Sequence, residues 1–110
     1  MNKLIIIGNL TKDPELRTTP AGKNVANFTV AVNRRGQQRE GQPDADFFRV
    51  AAWGNLGINC SKYLTKGSKV SVTGAVSIKT YTTQQGENRA DMEISMADDV
   101  EFLSSRSDNQ

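Results

Sequence analysis

The sequence predicts an all-β domain with one short helix, its strands closed into a small barrel. Three observations carry this prediction. Apolar and β-branched residues recur in short runs of period two, separated by Gly, Pro, Asn and Asp, which is strand-and-turn patterning. Helical spacing occurs in one convincing place, where Leu56, Cys60, Tyr63 and Leu64 share a face. One alternating run, Ser68 to Tyr81, is unusually long and has Gly74 at its middle, where a strand can bend as barrel corners require.

Each element follows in order. Leu4 to Leu10 is apolar and β-branched and forms the first strand, ended by Asp13-Pro14. Glu15 to Thr19 is a short extended segment. Pro20-Ala21-Gly22-Lys23 is a turn, with Pro setting φ and Gly free to take a positive φ. Val25 to Val32 is the second strand, with Phe28, Val30 and Val32 in one phase; Val25 is out of phase and marks a bulge or a strand end. Asn33 to Pro43 is a polar hairpin loop of net positive charge, and Ala45 to Trp53 is the third strand. A helix spans about Asn55 to Thr65, with Gly67 at the position of a C′ glycine. In the long fourth strand Val70, Val72, Gly74, Val76 and Ile78 share the inward phase. Thr82 to Arg89 is a second polar loop, centred on Gly86. Ala90 to Ala97 is the fifth strand, with Met92, Ile94 and Met96 facing in. Val100, Phe102 and Leu103 form a last apolar segment before a polar, frayed end. There is no internal repeat, linker or low-complexity block.

Three strands, a helix, then two strands, with the long strand bent, is the order of the five-stranded Greek-key barrel called the OB-fold. Its ligand face lies on the second and third strands, framed by the loops after the first and fourth. The expected division is one domain over residues 1–104 and a flexible end over residues 105–110.

Composition narrows the function classes. The chain has 110 residues and a formal charge of +2, so a nucleic-acid function would depend on where charge sits rather than on how much there is. With no His and a single Cys, Cys60, there is no intrachain disulfide, no Cys/His zinc site, and no Ser-His-Asp or Cys-His catalysis. Cys60 reads as a small buried apolar residue. The apolar run at the N-terminus is too short for a signal peptide or a membrane span, so a soluble cytoplasmic protein is expected.

The stretch Asp46 to Gly54 carries the chemistry. In a strand, Phe47, Arg49, Ala51 and Trp53 share one face, while Phe48, Val50 and Ala52 share an ordinary core face. Aromatic rings set around a guanidinium suit single-stranded nucleic acid, whose bases have π-faces and whose phosphates are anions. The alternative is one aromatic in the core and the other in a subunit contact. Tyr81 stands two residues from Lys79 on the polar phase of its strand and is not needed for the core. Phe28, Phe48 and Phe102 read as structural. Arg34, Arg35 and Arg39 make the loop before this strand basic, and Lys12, Arg17, Lys23 and Lys66 are further candidate phosphate contacts. Lys3 serves either as a contact or as an edge charge that deters aggregation. Asp44 and Asp46, and Asp98, Asp99 and Glu101, are carboxylates of the kind that hold Mg²⁺, but their spacing does not make them converge; Asp98 and Asp99 read as solvated turn residues.

Several segments resemble bacterial single-stranded DNA-binding proteins, in order and spacing, from Asn2 to about Leu103. They are Asn2-Lys3-Leu4-Ile5-Ile6-Ile7-Gly8-Asn9-Leu10, Asp13-Pro14-Glu15-Leu16-Arg17, Gly22-Lys23-Asn24-Val25-Ala26-Asn27-Phe28, Phe47 to Gly54, and Tyr63-Leu64-Thr65-Lys66-Gly67-Ser68 followed by Val70 to Gly74. The resemblance implies an OB-fold that assembles as a homotetramer, wraps single-stranded DNA, and has neither catalysis nor a cofactor or metal. It implies base stacking at Phe47, Trp53 and Tyr81, with Arg49 and Lys79 as nearby positive positions. The family often carries a further aromatic in the loop between the second and third strands; here that loop offers only arginines, which points it to phosphate. The family also commonly ends in a linker and an acidic tip that recruits repair and replication proteins. This chain ends Ser104-Ser105-Arg106-Ser107-Asp108-Asn109-Gln110, as either a tailless competence, plasmid or phage form or a shortened chain, so tail-mediated recruitment is not expected.

The expected function is therefore sequence-independent coating of single-stranded DNA in replication, recombination and repair, in the cytoplasm at the nucleoid. The alternatives are a primosome-type OB-fold module that binds mainly proteins, and a small Mg²⁺-dependent nuclease.

Overall fold

The computed structural model describes residues 1–34 and 45–103. Six strands and one helix follow in the order β1 (Lys3–Leu10), β2 (Glu15–Thr18), β3 (Asn24–Asn33), β4 (Ala45–Trp53), α1 (Gly54–Tyr63), β5 (Lys69–Thr82) and β6 (Asn88–Phe102). Their sheet order is β1-β5-β6-β4-β3-β2, and β1 also pairs with β3. Five strands thus close a ring, consistent with the OB-fold, and β2 lies outside it as an added edge on β3. The short extended segment expected at residues 15–19 is that extra strand. The last apolar segment is not separate but continues β6.

Alternation explains most of the core. Ile6 and Leu10 of β1, Phe28 and Val30 of β3, Val50 and Ala52 of β4, and Val70 and Val72 of β5 point inward and are buried together with Cys60 and Leu64. Val25 marks a strand start, not a bulge: β3 begins at Asn24 and its register with β4 is unbroken from Val25↔Trp53 to Asn33↔Ala45. Ring closure between β1 and β3 is tight. A Cβ on Gly8 would run into the Ala31 carbonyl, so only glycine permits that approach.

β6 departs from strict alternation. Its buried residues are Ile94, Ala97 and Val100, three apart, because the pairing with β5 slips twice. Thr73↔Asp99 is followed by Gly74↔Ala97, and Ala75↔Met96 by Val76↔Ile94, which leaves Asp98 and Ser95 as extra residues in β6. The slip throws Met96 out to 58% exposure, and Met92 is 43% exposed, so neither fills the core as period two would have it. Ile78 is also exposed, because the β5–β6 hairpin runs on beyond the ring: β1 pairs with β5 only as far as Ala75, and β4 meets β6 only at Glu93 and Ile94. Gly74 sits at the slip, where a Cβ would meet Ile94 Cγ2 and the Met96 carbonyl, in keeping with the bend expected there. Asp98 and Asp99 lie within β6 and not on a turn; the extra residue Asp98 is held by Lys3 of β1 at 3.0 Å.

The helix is shorter than its apolar spacing indicates. It stops at Tyr63, and Leu64 turns extended while its N–H still donates to the Cys60 carbonyl at 3.0 Å. Gly67 has φ +90° but belongs to the following turn, closed by Ser68 N–H to the Thr65 carbonyl, and is not a helix C′ residue. Tyr63 and Phe102 are both exposed and pack ring to ring at 6.3 Å, so Phe102 is not a core residue.

Two of the hairpin turns are built alike. Thr18-Thr19-Pro20-Ala21-Gly22-Lys23-Asn24 and Thr82-Thr83-Gln84-Gln85-Gly86-Glu87-Asn88 share one pattern. In each the first Thr hydroxyl donates to the Asn side chain, at 3.0 and 3.1 Å, and the second Thr hydroxyl accepts the N–H before that Asn, at 3.2 Å. Each loop thereby closes its hairpin with its own side chains.

Candidate nucleic-acid interface

The unbroken β3–β4 register decides which side chains share the outer surface, since residues opposite one another in a ladder point the same way. Three rows cross it: Arg17–Val25–Trp53, Glu15–Asn27–Ala51 and Thr29–Arg49–Glu93, with Ala31–Phe47 beside them. Phe47 is 61% exposed and Arg49 is exposed, while Phe48 packs partly buried against the core, as the phase argument requires. Trp53 is partly buried. Its indole N–H donates to the Ser95 carbonyl at 3.1 Å, and Ser95 is one of the two extra residues of β6. The ring is therefore pinned against β6 rather than free to swing.

The same surface continues onto the projecting hairpin. Ser77–Glu93, Lys79–Asp91 and Tyr81–Arg89 are successive pairs on one side of the β5–β6 ladder, and Glu93 joins them to Arg49. Tyr81 is 45% exposed near the hairpin tip, in a shallow depression with Arg89. An open cleft of about 480 Å³ lies between β4 and this arm. Arg17, Arg49, Lys79 and Lys12 line it, as do the carboxylates Asp13, Glu15 and Glu93. Sequence reasoning does not find these acidic members. Strand phase places Glu93 outward, but only the strand order brings it beside Arg49.

The remaining candidates distribute as follows. Lys66 does not line the cleft, but its backbone N–H donates to the Asp13 carboxylate at 2.8 Å, which sets it at the rim. Arg34 stands at the base of the long hairpin, its Nε and Nη2 donating to Asp46 Oδ1 at 3.0 and 2.7 Å. Lys23 belongs to the β2–β3 turn. Arg35, Arg39 and Asp44 lie outside the described residues, as do residues 104–110. Cys60 is on the buried side of α1, and burial pushes its thiol up to about 11, so it takes no part in the surface. Among the described residues no helix is long and apolar enough to cross a membrane.

The cleft itself holds cations and carboxylates, and none of Phe47, Trp53 and Tyr81 lines it; the two exposed rings and the pinned indole share its strand face and flank it. Residues 1–103 match the Single-strand binding protein family. The chain belongs to this family. It is 39% identical over 109 residues to a single-stranded DNA-binding protein of Staphylococcus aureus (strain MRSA252), covering 99% of this chain and 69% of that protein. It is 43% identical over 110 residues to single-stranded DNA-binding protein 3 of Clostridium acetobutylicum, covering 99% and 75%. A single-stranded DNA-binding protein of Halalkalibacterium halodurans is 41% identical over 106 residues, covering 96% and 62%.

Proposed function

We propose that this chain binds single-stranded DNA without sequence preference, as a non-enzymatic coat for strands exposed in replication, recombination and repair. The observation that supports this best is the single continuous surface that runs from Phe47, Arg49 and Trp53 to Lys79 and Tyr81. Bases stack on the rings, at roughly 1–3 kcal/mol each, and every base has a π-face, so discrimination among sequences is small. Arg17, Arg49 and Lys79 meet phosphates along the cleft; Arg34, Arg35, Arg39 and Lys66 add further positive charge for the strand. Duplex DNA hides its base faces and binds far more weakly.

The chain further self-associates, as a homotetramer. β1 pairs with β3 only at Asn9 and Leu10, so from Lys3 to Gly8 one of its edges is unpaired among the described residues. Ile5 and Ile7 are exposed beside that edge. An open edge flanked by large apolar side chains is a template for pairing with another copy. Sedimentation of the native protein at several concentrations checks the assembly: a monomer at all of them refutes it.

Trp53, the only tryptophan, reports on DNA directly. Titration with oligo-dT is expected to quench its fluorescence, less so as salt rises, while a duplex of equal length leaves it nearly unchanged. No response to oligo-dT, together with no binding by anisotropy, overturns the reading in favour of a protein-interaction module.

A further inference from the structure

We infer that Glu93 is an internal anion that competes with the bound strand for the cations of the cleft and thereby sets the affinity. The inference rests on the single-strand reading. Carboxylates are seldom buried without a partner, yet the Glu93 side chain is only 17% exposed at the floor of a cleft read as taking a polyanion. Its Oε1 lies 3.8 Å from Lys79 Nζ, and the Lys79 side chain is 71% exposed. The contact is diagonal, since by register Lys79 faces Asp91 and Glu93 faces Ser77. On its other side Glu93 is paired by register with Arg49, which makes no ion pair among the described residues. One carboxylate thus stands beside two of the cations that phosphates would use. At 3.8 Å, with an exposed ammonium, the Lys79–Glu93 pair is weak enough to be displaced. A phosphate that reaches Lys79 must take the place of Glu93, and it does so against the charge that Glu93 retains. The strand therefore gains less from Lys79 and Arg49 than two unopposed cations would give. Asp13 differs, because its carboxylate is occupied by the Lys66 N–H at the rim.

The test is fluorescence anisotropy of labelled oligo-dT with the full-length protein, wild type against Glu93→Gln, which keeps the shape and removes the charge. Glu93→Gln is expected to tighten binding by roughly three- to fivefold at low salt, the range of an exposed charge pair. It is also expected to steepen the salt dependence by the equivalent of about one phosphate, a further ~2.6-fold weakening between about 50 and 200 mM salt. The affinity lost on Lys79→Gln is expected to be larger in the Glu93→Gln background than in the wild type, and Glu93→Asp is expected to stay nearer the wild type. A folded Glu93→Gln protein, with native circular dichroism, that binds no tighter and with an unchanged slope overturns the inference. If the wild type itself does not bind oligo-dT, the single-strand reading fails instead.

Discussion

Trp53 owes its orientation to a carbonyl that a regular ladder would have occupied. The extra residue Ser95 leaves its C=O turned toward the indole, and the 3.1 Å hydrogen bond fixes the ring. Trp53→Ala is expected to weaken oligo-dT binding by about 1–3 kcal/mol with the fold intact, by loss of one stacking platform. Trp53→Phe keeps a ring but not the hydrogen bond, and is expected to fall between; equal affinities for all three proteins would remove Trp53 from the site. Cys60 gives a second residue-scale prediction. Its thiol is raised to about 11 in the folded protein against 9.0 without burial, so the unfolded chain ionises first as pH rises. The stability due to keeping that thiol neutral is fully present below about pH 9 and is lost as pH climbs toward about 11. Urea midpoints are expected to fall over that window, and the fall is expected to shrink in Cys60→Ala. The outward set Phe47, Arg49 and Trp53 is legible in the sequence because nothing interrupts the β3–β4 register, so phase alone places each side chain. The role of Glu93 is not, because its neighbour Arg49 lies on a parallel strand far away in sequence.

Among the elements, β6 shows where periodicity stops being a guide. Two extra residues convert a spacing of two into a spacing of three, so Ala97 replaces Met96 in the core. Gly74 hints at an irregularity in β5, but nothing in the run Asp91 to Val100 says which residues are skipped. The helix end departs from its apolar spacing for a related reason. Leu64 continues that spacing and is buried, but in an extended conformation, so burial persists after the helix has ended. β1 behaves as its sequence pattern requires, and its closure depends on one position. Gly8→Ala puts a methyl group against the Ala31 carbonyl and is expected to cost about 1–3 kcal/mol in urea unfolding, the usual penalty for overpacking. A variant as stable as the wild type would mean that the seam yields easily.

At the scale of the whole molecule, charge is nearly balanced at +2, so attraction for a polyanion arises from distribution. The long hairpin between β3 and β4 supplies three arginines close to Phe47 in sequence. Replacing Arg34, Arg35 and Arg39 together by Gln is expected to flatten the slope of log affinity against log salt, by about 0.7 for each phosphate left without its cation. A slope equal to wild type would assign phosphate binding to the cleft alone. The topology is legible as a whole because a closed ring of five strands with one helix leaves few alternatives for this order of elements. The extra strand, β2, shows in the sequence only as a short extended segment, because its four residues, Glu15 to Thr18, carry no apolar alternation and bury nothing. The ring is not equally strong all the way round. β1 and β5 share a ladder from Lys3 to Asn9, whereas β1 meets β3 at only Asn9 and Leu10, supplemented by Thr11 N–H to the Thr29 carbonyl. Thr11 and Thr29 also line the cleft. β4 and β6 are also joined by two pairs only, Arg49↔Glu93 and Val50↔Ile94, and these four residues line the cleft as well. The groove therefore straddles both of the ring's short stitches: these are where the wall parts first when the fold breathes, and a guest lying across them acts as a suture.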